Sequence, residues 1–299
     1  MKNYFFVLIL ITISTFSYAQ GCSDAGICSI GHGFQSDEKE LKNSVGIASV
    51  FGAGEADVTY FSPFIVYTRK INENWALSSK VTFSSANGAF GTSTSFGDAF
   101  LSGNYTFETK NNKQWSTLLG FKIPFTNSDL KIDGNSLPLD YQSSLGTYDL
   151  FIGGNLKYNN WDFNSAIQIP VINNNKNSYF KEFSGTNDFP STNRFERRSD
   201  VLFRTTYTLK TANKKFAFKP NVLFIYHLGE DSYETIQGDR EKIKGSDGLT
   251  INGNLLTTYT INNHNSIELS LATPFVIRDI RPDGLTRAYV ASIQYNIIF

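Results

Sequence analysis

The sequence predicts an all-β fold, a membrane-spanning antiparallel β-barrel of about twelve strands. Apolar and polar residues alternate with period two along most of the chain, the pattern of strands with two different faces. Most of these segments reach the roughly 9 to 11 residues that a tilted strand needs to cross a bilayer. Short connections alternate with mostly long ones, as in barrels whose tight turns lie on one side of the membrane.

The N-terminus has the pattern of a secretory signal peptide. Lys2 precedes an apolar run from Tyr4 to Ile13, and small residues flank Tyr18. The run is about ten residues long, half of what a membrane helix needs. We therefore expect a signal peptide over 1–19, a periplasmic segment over 20–42 and a barrel domain over 43–299. Export and a barrel together predict the outer membrane of a Gram-negative cell.

The strand assignments follow from the faces of each segment. In 75–83, Trp75, Leu77 and Phe83 share one face and Lys80 and Thr82 the other. The same alternation recurs at 201–210 and 289–299, and no helical period of similar length is present. The predicted strands are 43–52, 57–69, 75–85, 95–108, 114–124, 147–158, 161–171, 200–210, 216–228, 248–260, 266–275 and 286–299.

The connections indicate which end of the barrel is which. Short segments rich in Asn or Lys at 70–74, 109–113, 159–160, 211–215 and 262–265 predict periplasmic hairpin turns. Most of the others are long and polar and belong outside. Their charged residues are expected to be solvated, as on any surface loop: Arg194, Glu196, Arg197, Arg198, Glu230, Asp231, Asp239, Arg240 and Glu241. A soluble β-sandwich would not sort its loops by length in this way.

If the more apolar face of each strand meets lipid, the other face lines the lumen. The predicted lumen-lining residues are Lys80, Asp98, Phe100, Lys122, Asp149, Phe151, Arg204, Lys219, His227 and Glu268. The lumen is thus expected to be polar, of mixed charge and partly aromatic. These charges could simply pair to fill the barrel, or they could form a constriction that selects solutes. We expect Asp98 and Asp149 to flank Lys122 at the outer rim.

Composition limits the function classes. The 27 basic and 27 acidic residues leave no net charge for nucleic-acid binding. Of the three histidines, only His227 lies on a predicted strand, and no Ser/His/acid arrangement is visible, so we expect no enzyme and no cofactor. Membrane lipid, a small solute and the barrel-assembly machinery are the expected partners, the last because the terminal Phe299 ends an amphipathic strand.

Several stretches resemble a family of outer-membrane channels, the phenol-degradation meta-pathway transporters, which are themselves similar to fatty-acid channels. They are Ser95–Tyr105, Gly120–Pro124, Leu137–Asp149, Thr273-Pro274-Phe275 and Asp283-Gly284-Leu285, in the family's order. The resemblance implies passive transport of small hydrophobic or amphipathic molecules. The alternative from another class is a barrel that acts as a scaffold, receptor or assembly partner through its long outer loops.

The stretch Gly21–His32 holds both cysteines, Cys22 and Cys28, and His32. Three interpretations stay open. A disulfide between Cys22 and Cys28 suits an oxidising periplasm; a metal or redox site would be one ligand short of a structural zinc site, so no metal is expected; lipidation of Cys22 fits poorly with the residues before it. A disulfide would make 20–42 a stapled segment at the inner mouth that could plug the pore.

Overall fold

The computed structural model describes residues 43–283 and 289–299. The predicted signal peptide, the segment 20–42 with Cys22 and Cys28, and Gly284-Leu285 of the last motif lie outside the described residues.

A single antiparallel sheet closes into a barrel. The sheet has fourteen stretches of strand, and two pairs of these are halves of one interrupted strand, so the barrel has twelve. The last strand pairs with the first from Ser44 opposite Ile298 to Ala53 opposite Tyr289, which leaves no free edge. The strands are β1 Asn43–Ala53, β2 Thr59–Phe61 and Phe64–Lys70, β3 Trp75–Gly88, β4 Gly91–Thr106, β5 Lys113–Pro124, β6 Thr147–Tyr158, β7 Trp161–Asn173, β8 Asp200–Tyr207 and Leu209–Lys210, β9 Phe216–His227, β10 Gly248–Thr260, β11 Asn265–Val276 and β12 Tyr289–Ile298.

The prediction of a twelve-stranded closed barrel is confirmed, and two details of it are wrong. β3 continues past the predicted end at residue 85, and β4 begins before the predicted start at residue 95. The two strands meet in a tight turn at residues 89–90, and Gly91, which follows the turn, has φ +100°. The predicted strand 57–69 is interrupted at Pro63, which has no N–H to donate to the ladder. β2 stays hydrogen-bonded to β1 beside this interruption, because the Ser62 N–H donates to Val50 O at 2.8 Å.

The outer surface of the barrel is apolar. Outward side chains are large and exposed, among them Ile47, Ile65, Leu77, Leu101, Leu119, Ile152, Leu255, Leu269 and Ile293. Aromatic pairs ring the end that carries the short turns: the ring centroids are 5.0 Å apart in Trp75–Tyr105 and 4.7 Å apart in Trp161–Tyr207. Such aromatic girdles mark a membrane interface. A closed barrel satisfies its backbone in lipid, so this is a membrane-spanning barrel of the outer-membrane type.

Three long loops, 125–146, 174–199 and 228–247, fold into one layer at the opposite end, which we call the cap. Its small elements are strands Lys131–Ile132, Asn135–Ser136, Ser232–Glu234 and Arg240–Lys242, the one-turn helix Lys181–Ser184 and the 3₁₀ turn Leu139–Tyr141; a further 3₁₀ turn, Glu55–Asp57, joins β1 to β2.

Two apolar cores hold the cap together. The first joins the cap to the rim of β2 and β3, with buried residues Val58, Tyr60, Ala86, Leu137, Tyr141, Tyr179 and Phe189. The Phe90 ring of the β3–β4 turn lies 5.5 Å from the Tyr141 ring and 5.9 Å from the Phe189 ring. The second core joins all three loops through Leu139, Leu145, Phe195 and Ile243. The cap is therefore a folded layer rather than a set of independent loops.

Candidate functional site

The inner face of the barrel carries all ten residues that the sequence predicts to line the lumen. Eight of the ten lie next to an exposed residue on the same strand, and the exceptions are Asp98 and Asp149. Asp98, Lys122, Asp149, Phe151, His227 and Glu268 are buried, and Lys80, Phe100, Arg204 and Lys219 are partly buried. That these residues line a conducting pore remains a prediction.

A belt of polar side chains runs along the inner wall directly beneath the cap. Lys122, Asp149, Gln168, Asp200 and His227 come from β5 to β9, one from each strand, and each is at most 3% exposed. Lys122 Nζ lies 2.8 Å from Asp149 Oδ2, and Gln168 Nε2 donates to the same oxygen at 2.5 Å. We call this row the polar belt. Burial of so many charges is tolerated because each is paired.

An apolar patch lies next to the polar belt, toward the turn end of the same strands. Its buried residues are Leu118, Phe151, Ala166, Leu202 and Leu223, with Phe100 and Ile225 packed against them. The Phe100 and Phe151 rings are 6.2 Å apart. The sequence predicts both phenylalanines on the inner face but not the three leucines, because an inward Leu reduces the difference in polarity between the two faces of a strand.

Asparagines line the next level toward the turn end. Asn164 Nδ2 donates to Asn155 Oδ1 at 2.8 Å across β7 and β6, and Asn254 Nδ2 donates to Asn221 Oδ1 at 2.8 Å across β10 and β9. On the β2–β4 side, Lys80 Nζ lies 4.1 Å from the Phe64 ring centroid, within cation–π range. The wall from β5 to β9 is therefore layered as polar belt, apolar patch and amides.

The two predicted rim carboxylates have different partners. Asp149 pairs with Lys122 as described, whereas Asp98 Oδ1 accepts a hydrogen bond from Ser144 Oγ of the cap at 2.5 Å. Asp98 thereby ties β4 to the loop 125–146.

A cluster of buried ion pairs joins the cap to the strand ends. Arg197 of the loop 174–199 pairs with Asp200, the first residue of β8, and its Nη2 lies 3.6 Å from Asp283 Oδ2. Arg278 Nη2 lies 2.9 Å from the same Asp283 oxygen, and Arg278 Nη1 donates to Ser246 O at 2.6 Å. We call Arg197, Asp200, His227, Asp231, Arg278 and Asp283 the ion cluster.

His227 lies at the centre of the ion cluster between two carboxylates. Its Nδ1 is 2.6 Å from Asp200 Oδ1, and its Nε2 is 2.8 Å from Asp231 Oδ1. Asp231 also accepts the Arg198 N–H at 2.8 Å, and its own N–H donates to Ser246 Oγ at 2.8 Å. A neutral imidazole has one N–H, so two ionised carboxylates are both satisfied only by the imidazolium form.

Burial and neighbouring charges shift the pKa values of the cap. Burial, together with the charge of Asp283, raises the pKa of Asp140 to about 7. Burial alone would raise the pKa of Asp283, but Arg278 and Arg197 hold it well below its usual range. Burial raises the pKa of Asp231 despite the hydrogen bond from His227. Asp140 is thus a buried carboxyl of the cap whose pKa lies near neutral pH.

The expectation that the charged loop residues are solvated is wrong for Arg197 and Asp231, which are 8% and 0% exposed. It holds for Arg194, whose side chain is 65% exposed in its pair with Glu234. Position in the loop does not distinguish them, because Arg198 lies one residue nearer to β8 than Arg197 and is exposed.

Within residues 43–283 and 289–299, no group of three or more His, Cys, Asp and Glu side chains is arranged to hold a metal ion. That described part also contains no helix long and apolar enough to cross a bilayer.

No protein-family model matches the chain, and no curated protein matches it. Solved structures similar to it include the KdgM porin in complex with disordered oligogalacturonate, at 8% identity and TM-score 0.45 over 86% of this chain and 99% of that one. The CymD monoaromatic hydrocarbon channel is similar at 9% identity and TM-score 0.44 over 95% of each chain. Outer membrane phospholipase A from Escherichia coli is similar at 8% identity and TM-score 0.40 over 88% of this chain and 93% of that one.

Proposed function

We propose that the chain is an outer-membrane channel for the passive passage of small hydrophobic or amphipathic solutes. The apolar patch inside the lumen is the observation that carries this proposal, because a channel for purely polar solutes has no need of five buried apolar side chains on its inner wall. Ligand sites for such molecules are mostly apolar with a few placed polar groups. The polar belt on one side of the patch and the asparagines on the other supply those groups.

Two measurements test the channel. One is conductance in planar bilayers, and the other is uptake of small aromatic compounds by a deletion strain that carries the gene on a plasmid. Phe151→Ala, inside the patch, is expected to change solute uptake severalfold. Phe121→Ala, on the neighbouring strand but 49% exposed on the outer surface, is the matched control and should leave uptake unchanged. A barrel that conducts no ions and restores no uptake would refute the proposal.

The second candidate function is a scaffold or receptor without transport. The observation in its favour is two large apolar side chains exposed on the cap, Phe183 at 74% and Ile236 at 56%, since such residues on an outer surface can anchor a partner. Copurification of a partner that is lost in Phe183→Ser, from a barrel that is sealed in bilayers, would favour this function over the channel.

We also propose, from the sequence, that residues 1–19 are removed on export and that 20–42 form a segment at the inner mouth closed by a Cys22–Cys28 disulfide. Thiol labelling of the mature protein with and without reductant tests the bridge. Labelling without reductant would reject it. Removal of residues 20–40 should raise conductance if this segment plugs the pore.

We propose that the barrel is not an enzyme. Both ring nitrogens of His227 are bonded by carboxylates, so neither remains to activate a nucleophile. The proposed partners are membrane lipid, the solute and, through Phe299, the barrel-assembly machinery. Deletion of Phe299 should slow assembly, measured as loss of the heat-modifiable folded band, if that residue is read during insertion.

A further inference from the structure

The cap is attached to the barrel by two kinds of contact on two sides. On the β2–β3 side the attachment is the first apolar core, with Tyr141 and Tyr179 each 1% exposed. On the β8–β9 side it is the ion cluster, in which cap residues Arg197 and Asp231 bond to Asp200 and His227 at the strand ends. Apolar packing does not depend on protonation, whereas a buried ion cluster does.

The β8–β9 attachment depends on one proton at His227. Asp200 on β8 and Asp231 in the cap both need an N–H from this ring. When the imidazolium loses its proton, one carboxylate faces a nitrogen lone pair in a buried site, and that contact becomes repulsive. Of the two contacts of His227, the one with Asp231 joins the cap to the barrel wall, beside the pair between Arg197 and Asp200.

We propose that the cap is a pH-sensitive lid over the outer mouth, closed while His227 is protonated and released on its β8–β9 side when that proton is lost. The inference goes beyond the channel function and uses it only for one of two readouts. The loops 174–199 and 228–247 would move away from the polar belt, and the β2–β3 side would act as the hinge.

The charged groups that face His227 from the surrounding elements all belong to the ion cluster: Asp200 from β8, Asp231 and Arg197 from the cap, and Arg278 and Asp283 beyond β11. Arg281 and Asp140 face Asp283 in turn. Ionisation of Asp140, whose pKa lies at about 7, adds a second buried negative charge beside Asp283. It therefore acts in the same direction as loss of the His227 proton.

Asp200→Asn distinguishes a cap contact that depends on the His227 proton from an ion cluster whose role is only structural. The amide NH₂ can take the place of Oδ1 and donate to Nδ1, while its oxygen takes the place of Oδ2 and accepts from Arg197. A neutral His227 then keeps its one N–H for Asp231. The matched control is Asp188→Asn, the same substitution at an exposed cap residue bonded only locally to Thr186 among the bonds described.

We expect wild-type conductance in planar bilayers to rise about tenfold between pH 6 and pH 9, the ratio that loss of one charge-assisted hydrogen bond gives. Asp188→Asn should show the same rise. Asp200→Asn should show only the smaller rise that Asp140 ionisation produces, and because Asp140 titrates in both chains, the difference between the two rises reports the His227 proton. Equal pH dependence in wild type and Asp200→Asn would overturn the lid.

Hydrogen exchange of the Ile280 amide in detergent is the second readout and does not require conduction. This amide lies beyond β11 and donates to Gly245 O of the loop 228–247 at 3.0 Å, so it loses its acceptor when that loop moves away. Its protection should fall with pH in the wild type and fall less in Asp200→Asn. A wild type that is sealed at every pH while the Ile280 amide still loses protection would support the lid and refute the channel. If Asp200→Asn fails to fold, a wild-type amide that stays protected at pH 9 would by itself overturn the proposal.

Discussion

Replacing Asp140 by Asn should remove most of the pH dependence of the stability of the cap's turn Leu139–Tyr141. Asp140 is 3% exposed in the turn Leu139–Tyr141, and its Oδ1 accepts no hydrogen bond from the described residues. Asparagine keeps the shape of the side chain and cannot ionise. The substitution therefore isolates the free-energy cost of burying the ionised Asp140 carboxylate.

The magnitude follows from the shift in pKa from 3.8 to about 7. Because the folded state raises the pKa, the folded cap binds this proton more tightly than the unfolded chain does. The contribution to stability is complete below pH 3.8 and is lost as the pH rises toward 7. The full loss is about 4 kcal/mol at 1.36 kcal/mol per pKa unit, and roughly 2.5 kcal/mol of it falls between pH 5 and pH 8.

The assay is hydrogen exchange at the Tyr141 and Gln142 amides, which donate to Pro138 O and Leu139 O inside the same turn. In the wild type the opening free energy at these amides should fall by roughly 2.5 kcal/mol from pH 5 to pH 8. It should stay level in Asp140→Asn. Asp129→Asn, at an exposed position of the same loop, serves as control and should follow the wild type. Parallel slopes in all three chains would refute the reasoning.

Two further predictions concern buried contacts. Lys122→Met should destabilise the barrel by about 3–5 kcal/mol in urea-induced unfolding, because it leaves Asp149 charged and buried, and adding Asp149→Asn should recover part of the loss. Gly88→Ala would place a methyl group against the Tyr141 hydroxyl and should weaken the cap by about 1–3 kcal/mol. Gly154→Ala meets nothing closer than an oxygen at 4.0 Å and should be neutral in the same exchange measurement.

The barrel wall could be predicted from the sequence because the alternation of apolar and polar residues is enough to identify each strand and its two faces. An alternating segment such as Trp75–Phe83 needs only a bilayer and two neighbours to define its faces. The prediction failed where one residue acts against that period. Pro63 interrupts β2 because it cannot donate to the ladder, and the tight turn before Gly91 extends β3 and β4 toward each other beyond their predicted ends.

The cap could not be predicted because its contacts join residues that lie far apart in the chain. Asp231 is buried only because His227, Arg198 and Ser246 surround it from β9 and two cap loops. Nothing in a loop sequence distinguishes such a residue from Arg194, which stays on the surface. Length and charge predicted where the loops are, and only their packing determines which charges they bury.

The two sides of the lumen wall differ in a way that bears on what can pass. From β5 to β9 the inner face presents the apolar patch, whereas from β11 to β1 it presents two valines, Val50 and Val290, among small residues that include Ala48, Ser270 and Ser292. In the proposed channel, a solute between them would meet leucine and phenylalanine on one side and mostly smaller side chains, with some hydroxyls, on the other. Desolvating such a solute costs least when it too has one apolar and one polar side. For the proposed channel, the asymmetry of the wall therefore predicts faster passage of amphipathic solutes than of purely polar ones of the same size.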